Sequence, residues 1–135
     1  MKSYIIYCDE STCKGKYYSN FYGGALVSNK DFDNVVEILN KKKEELNLFK
    51  EIKWTKVTSA YLDKYMEFIN LYFELIKKGL IKIRIMFRNN EHEPIGLTEE
   101  QELNGFYLLY YQFLKHGFGL KYCNPYKENI RLRVY

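Results

Sequence analysis

Apolar and mostly basic side chains alternate from Ile81 to Arg88, and a second alternating run, Ile130 to Tyr135, follows a helix-period segment. A period of two is the signature of a half-buried β-strand. Strands separated by a helix argue for a right-handed crossover and a parallel section of sheet. This unit restricts the chain to architectures that combine a sheet with helices. At the other end, Ser3-Tyr4-Ile5-Ile6-Tyr7-Cys8 is β-branched and aromatic and is bounded by Asp-Glu-Ser, which reads as a buried strand. Lys14-Gly15-Lys16 is a turn signal, and residues 17–28 read as a second strand, so an antiparallel hairpin is expected. Gly23-Gly24 inside that strand points to a bulge or to close approach of another backbone.

Helices fill the interval. Asn29 or Asp31 can cap one that carries Phe32, Val35, Val36, Leu39 and Leu46 on one side. A short piece, Phe49 to Trp54, is a candidate strand. Thr58 or Ser59 then starts a second helix. In it Leu62, Tyr65, Met66, Ile69, Tyr72, Phe73 and Ile76 recur at helical steps, and Lys77-Lys78-Gly79 ends it. Thr98 with Gln101 forms a capping box for a third helix. That helix is expected to bury Leu103, Phe106, Tyr107, Tyr110, Phe113 and Leu114 and to stop at Gly117 or Gly119. The expected class is α/β, or α+β: a mixed sheet with an N-terminal hairpin, then β-α-β crossovers, with helices packed on it.

The chain has 135 residues, the size of one domain, so residues 1–135 are read as a single domain. Its last residues lie within an apparent strand, from which a domain incomplete at its C-terminal end is expected. No apolar run spans a bilayer, so no membrane association is expected. Three cysteines without CxxC spacing argue against a disulfide framework and a thiolate zinc site and fit a reducing cytoplasm. The net charge of +4 is compatible with a nucleic-acid partner without demanding one.

The sharpest chemical feature is Tyr7-Cys8-Asp9-Glu10-Ser11. Tyr7 and Asp9 point to one face of their strand, and Glu10 to the other. A carboxylate at the end of a central strand is costly to bury unless it binds a cation or accepts hydrogen bonds. A solvated acid that starts the turn is the competing reading. In Glu51-Ile52-Lys53-Trp54, acid and base two residues apart share one face of an extended segment. Glu51 could join Asp9 around Mg²⁺ or Mn²⁺, with Lys53 meeting a phosphate. The bland reading is a surface Glu–Lys pair beside a core Trp. Lys82, Arg84 and Arg88 share a side of their strand, and Arg131 and Arg133 a side of theirs. If those strands are neighbours, the cations form one patch along a phosphate backbone. If not, they are edge charges that discourage aggregation. His92 reads as a solvated loop residue, and His116 as a partner of a helix dipole. Cys8 reads as a small core residue and Cys13 as a turn residue.

Taken together, Tyr7-x-Asp9-Glu10-Ser11, then Phe21-Tyr22-Gly23-Gly24-Ala25-Leu26-Val27, then Glu51-Ile52-Lys53-Trp54 resemble the bacterial family known as domain of unknown function 3800. That family is placed near the ribonuclease-H-like superfamily. The resemblance implies a ribonuclease-H-like mixed sheet with acids on adjacent elements binding divalent metal, and a nuclease activity. By that match Asp9 is the leading ligand, Glu51 the second and Glu10 a weaker candidate. Two departures stand out. Thr12 occupies the place where the family often has Gly, and the acid expected shortly after the strand at Ile130 to Tyr135 has no counterpart. A site with two acids in place of three or four binds metal weakly or does not catalyse.

The first expectation is therefore a metal-dependent nuclease or phosphodiesterase acting on nucleic acid, DNA and RNA being indistinguishable from sequence. The second is a catalytically inactive nucleic-acid- or protein-binding domain linked to mobile elements or defence. A third is homo-oligomerisation through an exposed sheet edge.

Overall fold

The structure, a computed structural model, describes residues 1–11, 20–92, 94–123 and 129–135. The expected turn at Lys14-Gly15-Lys16, the start of the second strand, Cys13 and Thr12 lie outside the described residues. The elements are β1 (Lys2–Glu10), β2 (Asn20–Ser28), α1 (Phe32–Glu45), α2 (Leu62–Lys77), β3 (Ile81–Arg88), α3 (Glu99–Gln112) and β4 (Ile130–Val134). Phe49 to Lys53 forms no strand, and Trp54–Lys56 is a short 3₁₀ turn. The architecture is mixed α/β, with a four-stranded sheet in the order β3-β2-β1-β4.

The first and last strands pair in parallel, Lys2 opposite Ile130 and Ile6 opposite Val134. The ladder continues as Tyr135 donates its N–H to the Ile6 carbonyl (3.0 Å) and accepts from the Cys8 N–H (2.8 Å). The Ser11 N–H reaches the Phe21 carbonyl at 2.9 Å, so the end of β1 meets the start of β2 and the two run antiparallel. The sheet is thus mixed, as the hairpin and the crossover pattern predict.

Two compact units divide the chain: residues 1–26 with 82–135, and residues 27–81. In the first, Ile6, Tyr22, Leu26, Phe113 and Phe118 form a buried cluster, joined by Tyr4, Cys8, Met86, Phe106, Tyr110 and Leu132. One face of all four strands therefore packs against α3 and the turns after it. The same parity assigns Ile5, Tyr7, Asp9, Phe21, Phe87, Arg131 and Arg133 to the other face. α3 opens on the expected capping box: the Thr98 Oγ1 accepts from the Gln101 N–H (3.3 Å) and the Gln101 Oε1 from the Thr98 N–H (3.0 Å). It passes into a π-helical turn, Phe113–Gly117, and Gly119 closes the segment at φ 68°. Phe106, Leu109, Tyr110 and Leu114 face the core, whereas Leu103 and Tyr107 face outward, contrary to the sequence expectation.

In the second unit, Leu46, Leu48 and Phe68 are buried together with Leu39, Ile52 and Tyr65 against them. The Lys42 ammonium bridges Glu67 (2.7 Å) and Glu45 (3.2 Å). α2 ends as expected at Lys77-Lys78-Gly79. Gly79 takes φ 75°, its N–H bonds the Ile76 carbonyl (2.9 Å), and the Leu80 N–H bonds that of Leu75 (3.0 Å), a complete Schellman motif. The face of α2 differs from expectation. Phe68 and Leu75 are buried, while Leu62, Met66, Ile69 and Phe73 form an exposed stripe. Apolar residues surround this helix, so their recurrence does not reveal which side is covered. Among the described residues, no helix is long and apolar enough to cross a membrane.

Candidate functional site

β1 delivers its acids to the carboxyl end of the parallel pair, where Tyr135 also lies. Successive side chains on a strand point to opposite faces, so Asp9 and Glu10 part company. Glu10 turns to the α3 side and accepts a hydrogen bond from the Tyr110 hydroxyl. Asp9 turns to the other side and is exposed. Its Oδ1 accepts the Glu10 backbone N–H at 2.9 Å, and among the described residues it has no ion-pair partner. The hairpin beside it is tied twice, since the Phe21 N–H also donates to the Ser11 Oγ at 2.8 Å.

Tyr110 and Cys8 share the Glu10 side. Burial, then the hydrogen bond to Glu10, pushes the Tyr110 phenol far above its ordinary value. Burial, then the Glu10 charge, raises the Cys8 thiol above 9.0. Both groups are neutral when protonated, so the folded chain holds their protons more tightly than the unfolded one. Their stabilisation is fully present below the ordinary thiol and phenol values and declines as pH rises through the elevated ones. The expected result is a melting temperature that falls with pH above the ordinary thiol value of 9.0, less steeply in a Cys8→Ala, Tyr110→Phe double variant. Thermal melts at successive alkaline pH values check this; identical slopes in both proteins contradict it.

Glu51 and Lys53 belong to the second unit. Their spacing in extended backbone brings the Lys53 ammonium within 2.9 Å of the Glu51 carboxylate, and both side chains are exposed. Trp54 beside them is 88% exposed, so the core Trp of the bland sequence reading is not found.

A hard divalent cation suits carboxylate oxygen, and Mg²⁺ commonly keeps several waters while using one or two carboxylates and a substrate phosphate. Asp9 fits that role, with its Oδ1 accepting one backbone N–H among the described residues. Glu10 serves the opposite face of β1. Among the described residues, no three His, Cys, Asp or Glu side chains gather into a metal cage.

The basic residues do not form one patch by adjacency. β3 and β4 are the two outer strands of the sheet, with β2 and β1 between them. Lys82, Arg84 and Arg88 share the parity of Met86, which faces the α3 side, whereas Arg131 and Arg133 face away from it. Arg84 caps the π-helical turn: its Nε donates to the Gly117 carbonyl at 3.0 Å. His92 is exposed in a loop, and His116 is exposed in that turn. Cys8 is half-buried against the first core, as its sequence reading implies.

Sequence reasoning missed the Tyr110–Glu10 bond, because the partners are 100 residues apart. It also missed two aromatic pairs, Tyr7–Tyr135 and Phe21–Phe87, on the sheet face that carries Asp9. The sole available signal was parity: Tyr7 and Asp9 alternate on one face, as do Phe21 on β2 and Phe87 on β3. No family model matches this chain, and comparison with curated proteins and with solved structures finds no match for it.

Proposed function

We propose that this chain is a divalent-metal-dependent phosphodiesterase of ribonuclease-H-like type acting on nucleic acid. The supporting observation is Asp9 itself, an exposed carboxylate at the carboxyl end of an inner strand whose Oδ1 accepts the Glu10 backbone N–H. On this reading Asp9 binds Mg²⁺ or Mn²⁺. When bound, such an ion would supply Lewis acidity toward a phosphoryl oxygen and toward the attacking water. Sequence and family resemblance alone suggest Glu51 as a second ligand and Lys53 as a phosphate contact, while Glu10, on the opposite face of β1 and bonded to Tyr110, takes no part in a site at Asp9.

The test is cleavage of labelled DNA and RNA in Mn²⁺ by the wild type, Asp9→Asn and Glu51→Gln. Asp9→Asn is expected to lose about tenfold or more, on the order of 1.4 kcal/mol of barrier. Equal activity in wild type and Asp9→Asn sinks the proposal. The second reading, a non-catalytic nucleic-acid-binding domain, is favoured by the lack of a three-ligand cluster among the described residues. Salt-dependent binding without cleavage and without metal dependence would select it.

A further inference from the structure

The face of the sheet away from α3 opens progressively toward Asp9. On β1, Ile5 is 2% exposed and Tyr7 48%. On β3, Ile81 is 2% exposed and Phe87 58%. On β2, Val27 is buried and Phe21 is exposed. Two aromatic pairs occupy the open end. The Tyr7 and Tyr135 rings stack, with centroids 5.2 Å apart and planes at 18°. Phe21 and Phe87 lie 6.0 Å apart at 55°. Asp9 is two residues beyond Tyr7 on the same face and two before Ser11, whose N–H holds the Phe21 carbonyl. Along β1, the carboxylate therefore stands between the two pairs. Arg133 is exposed on this face of β4, two residues before Tyr135, and Arg131, also exposed, lies two residues further back, opposite Ser3.

Open aromatic rings beside guanidinium groups match the chemistry of an unpaired nucleic acid. Its bases present π-faces for stacking, and its phosphates attract the arginines. Bases inside a duplex already stack on one another and do not reach such a surface. A second copy of the chain fits less well. An isologous contact would gather the arginines of both copies into one interface. We propose that this end of the sheet binds single-stranded nucleic acid, with bases stacking on the Tyr7–Tyr135 and Phe21–Phe87 pairs and the intervening backbone passing Asp9. The proposal rests on the nucleic-acid reading above and narrows its substrate to unpaired strands.

The experiment is fluorescence anisotropy with short labelled DNA and RNA single strands and the corresponding duplexes, in EDTA. Single strands are expected to bind about tenfold more tightly than duplexes, and Tyr135→Ala and Phe87→Ala each to weaken single-strand binding by about tenfold. Tyr135→Phe, which keeps the ring, is expected to bind like the wild type. So is Leu108→Ala, which alters an exposed position on α3. Circular dichroism verifies that the variants are folded. Duplexes bound as tightly as single strands, or alanine variants that bind like the wild type, overturn the proposal. So does a Tyr135→Phe variant as weak as Tyr135→Ala. Alanine variants that shift the sedimenting mass while leaving oligonucleotide affinity intact would assign the surface to self-association and overturn it as well. EDTA separates the two proposals. Stacking-dependent binding with no Mn²⁺-dependent cleavage removes the enzyme reading and leaves this one. Asp9-dependent cleavage of duplex alone does the reverse.

Discussion

Phe113→Ala is expected to lower the unfolding free energy by about 3–5 kcal/mol, the usual cost of emptying a filled aromatic site. Phe113 is 1% exposed and belongs to the cluster that fastens the sheet to the helical layer of its unit. Its ring meets that of Phe118 edge-on, with centroids 5.1 Å apart. Gly117 closes the same pocket, since a Cβ there would stand 3.2 Å from the Phe113 ring. The position also begins the π-helical turn, so its backbone is set by the change in winding and collapses poorly into a void. Domains of this kind are stable by about 5–15 kcal/mol, so such a loss leaves the variant marginal. Urea denaturation followed by circular dichroism measures it. A loss below about 1 kcal/mol, less than typical for a buried aromatic, would mean that the ring does not fill the core as described.

Gly24→Val is the second large effect, expected to cost about 3 kcal/mol through overpacking. A Cβ at Gly24 would lie 3.1 Å from the Cys8 Sγ, 3.1 Å from the Tyr7 carbonyl oxygen and 3.2 Å from the Phe118 ring. The sulfur and the ring can shift a little, but the carbonyl belongs to an inner strand and cannot. Gly23 supplies the control, because nothing lies within 4 Å of a Cβ built there. Gly23→Ala is expected to change stability by no more than about 0.5 kcal/mol, as surface substitutions do. Urea midpoints of the two variants side by side decide the matter. Equal tolerance at both positions would contradict the close approach of β1 and β2.

Gly23-Gly24 also shows how far sequence alone reaches. A glycine pair inside a strand announces a bulge or a close neighbour, but not which glycine meets it. Local signals were legible where the residues causing them are local. The alternation at Ile81–Arg88, the Thr98–Gln101 box and the Lys77-Lys78-Gly79 stop depend on nearest neighbours, and each stands where expected. The faces of α2 and α3 were not legible, because both helices carry apolar residues around much of their circumference. Tertiary packing alone selects Phe68 over Met66, and Leu109 over Tyr107. The same holds for the site. Asp9 is readable as a strand-end acid, and the Glu51–Lys53 ion pair follows from spacing. The separation of the arginine-bearing outer strands, and the tether from Tyr110 to Glu10, depend on strand order and on contacts across the chain.

The parallel pairing of β1 with β4 has a kinetic consequence. Lys2 finds its partner at Ile130, 128 positions away, so the ladder cannot begin until nearly the whole intervening chain is synthesised. Closing so wide a loop precedes any reward from the contacts it makes, which places this chain among slow folders. Until then one flank of β1 stays open on the nascent polypeptide. The hairpin with β2 is the early shelter for its other flank, and chaperone capture during translation would act in that interval.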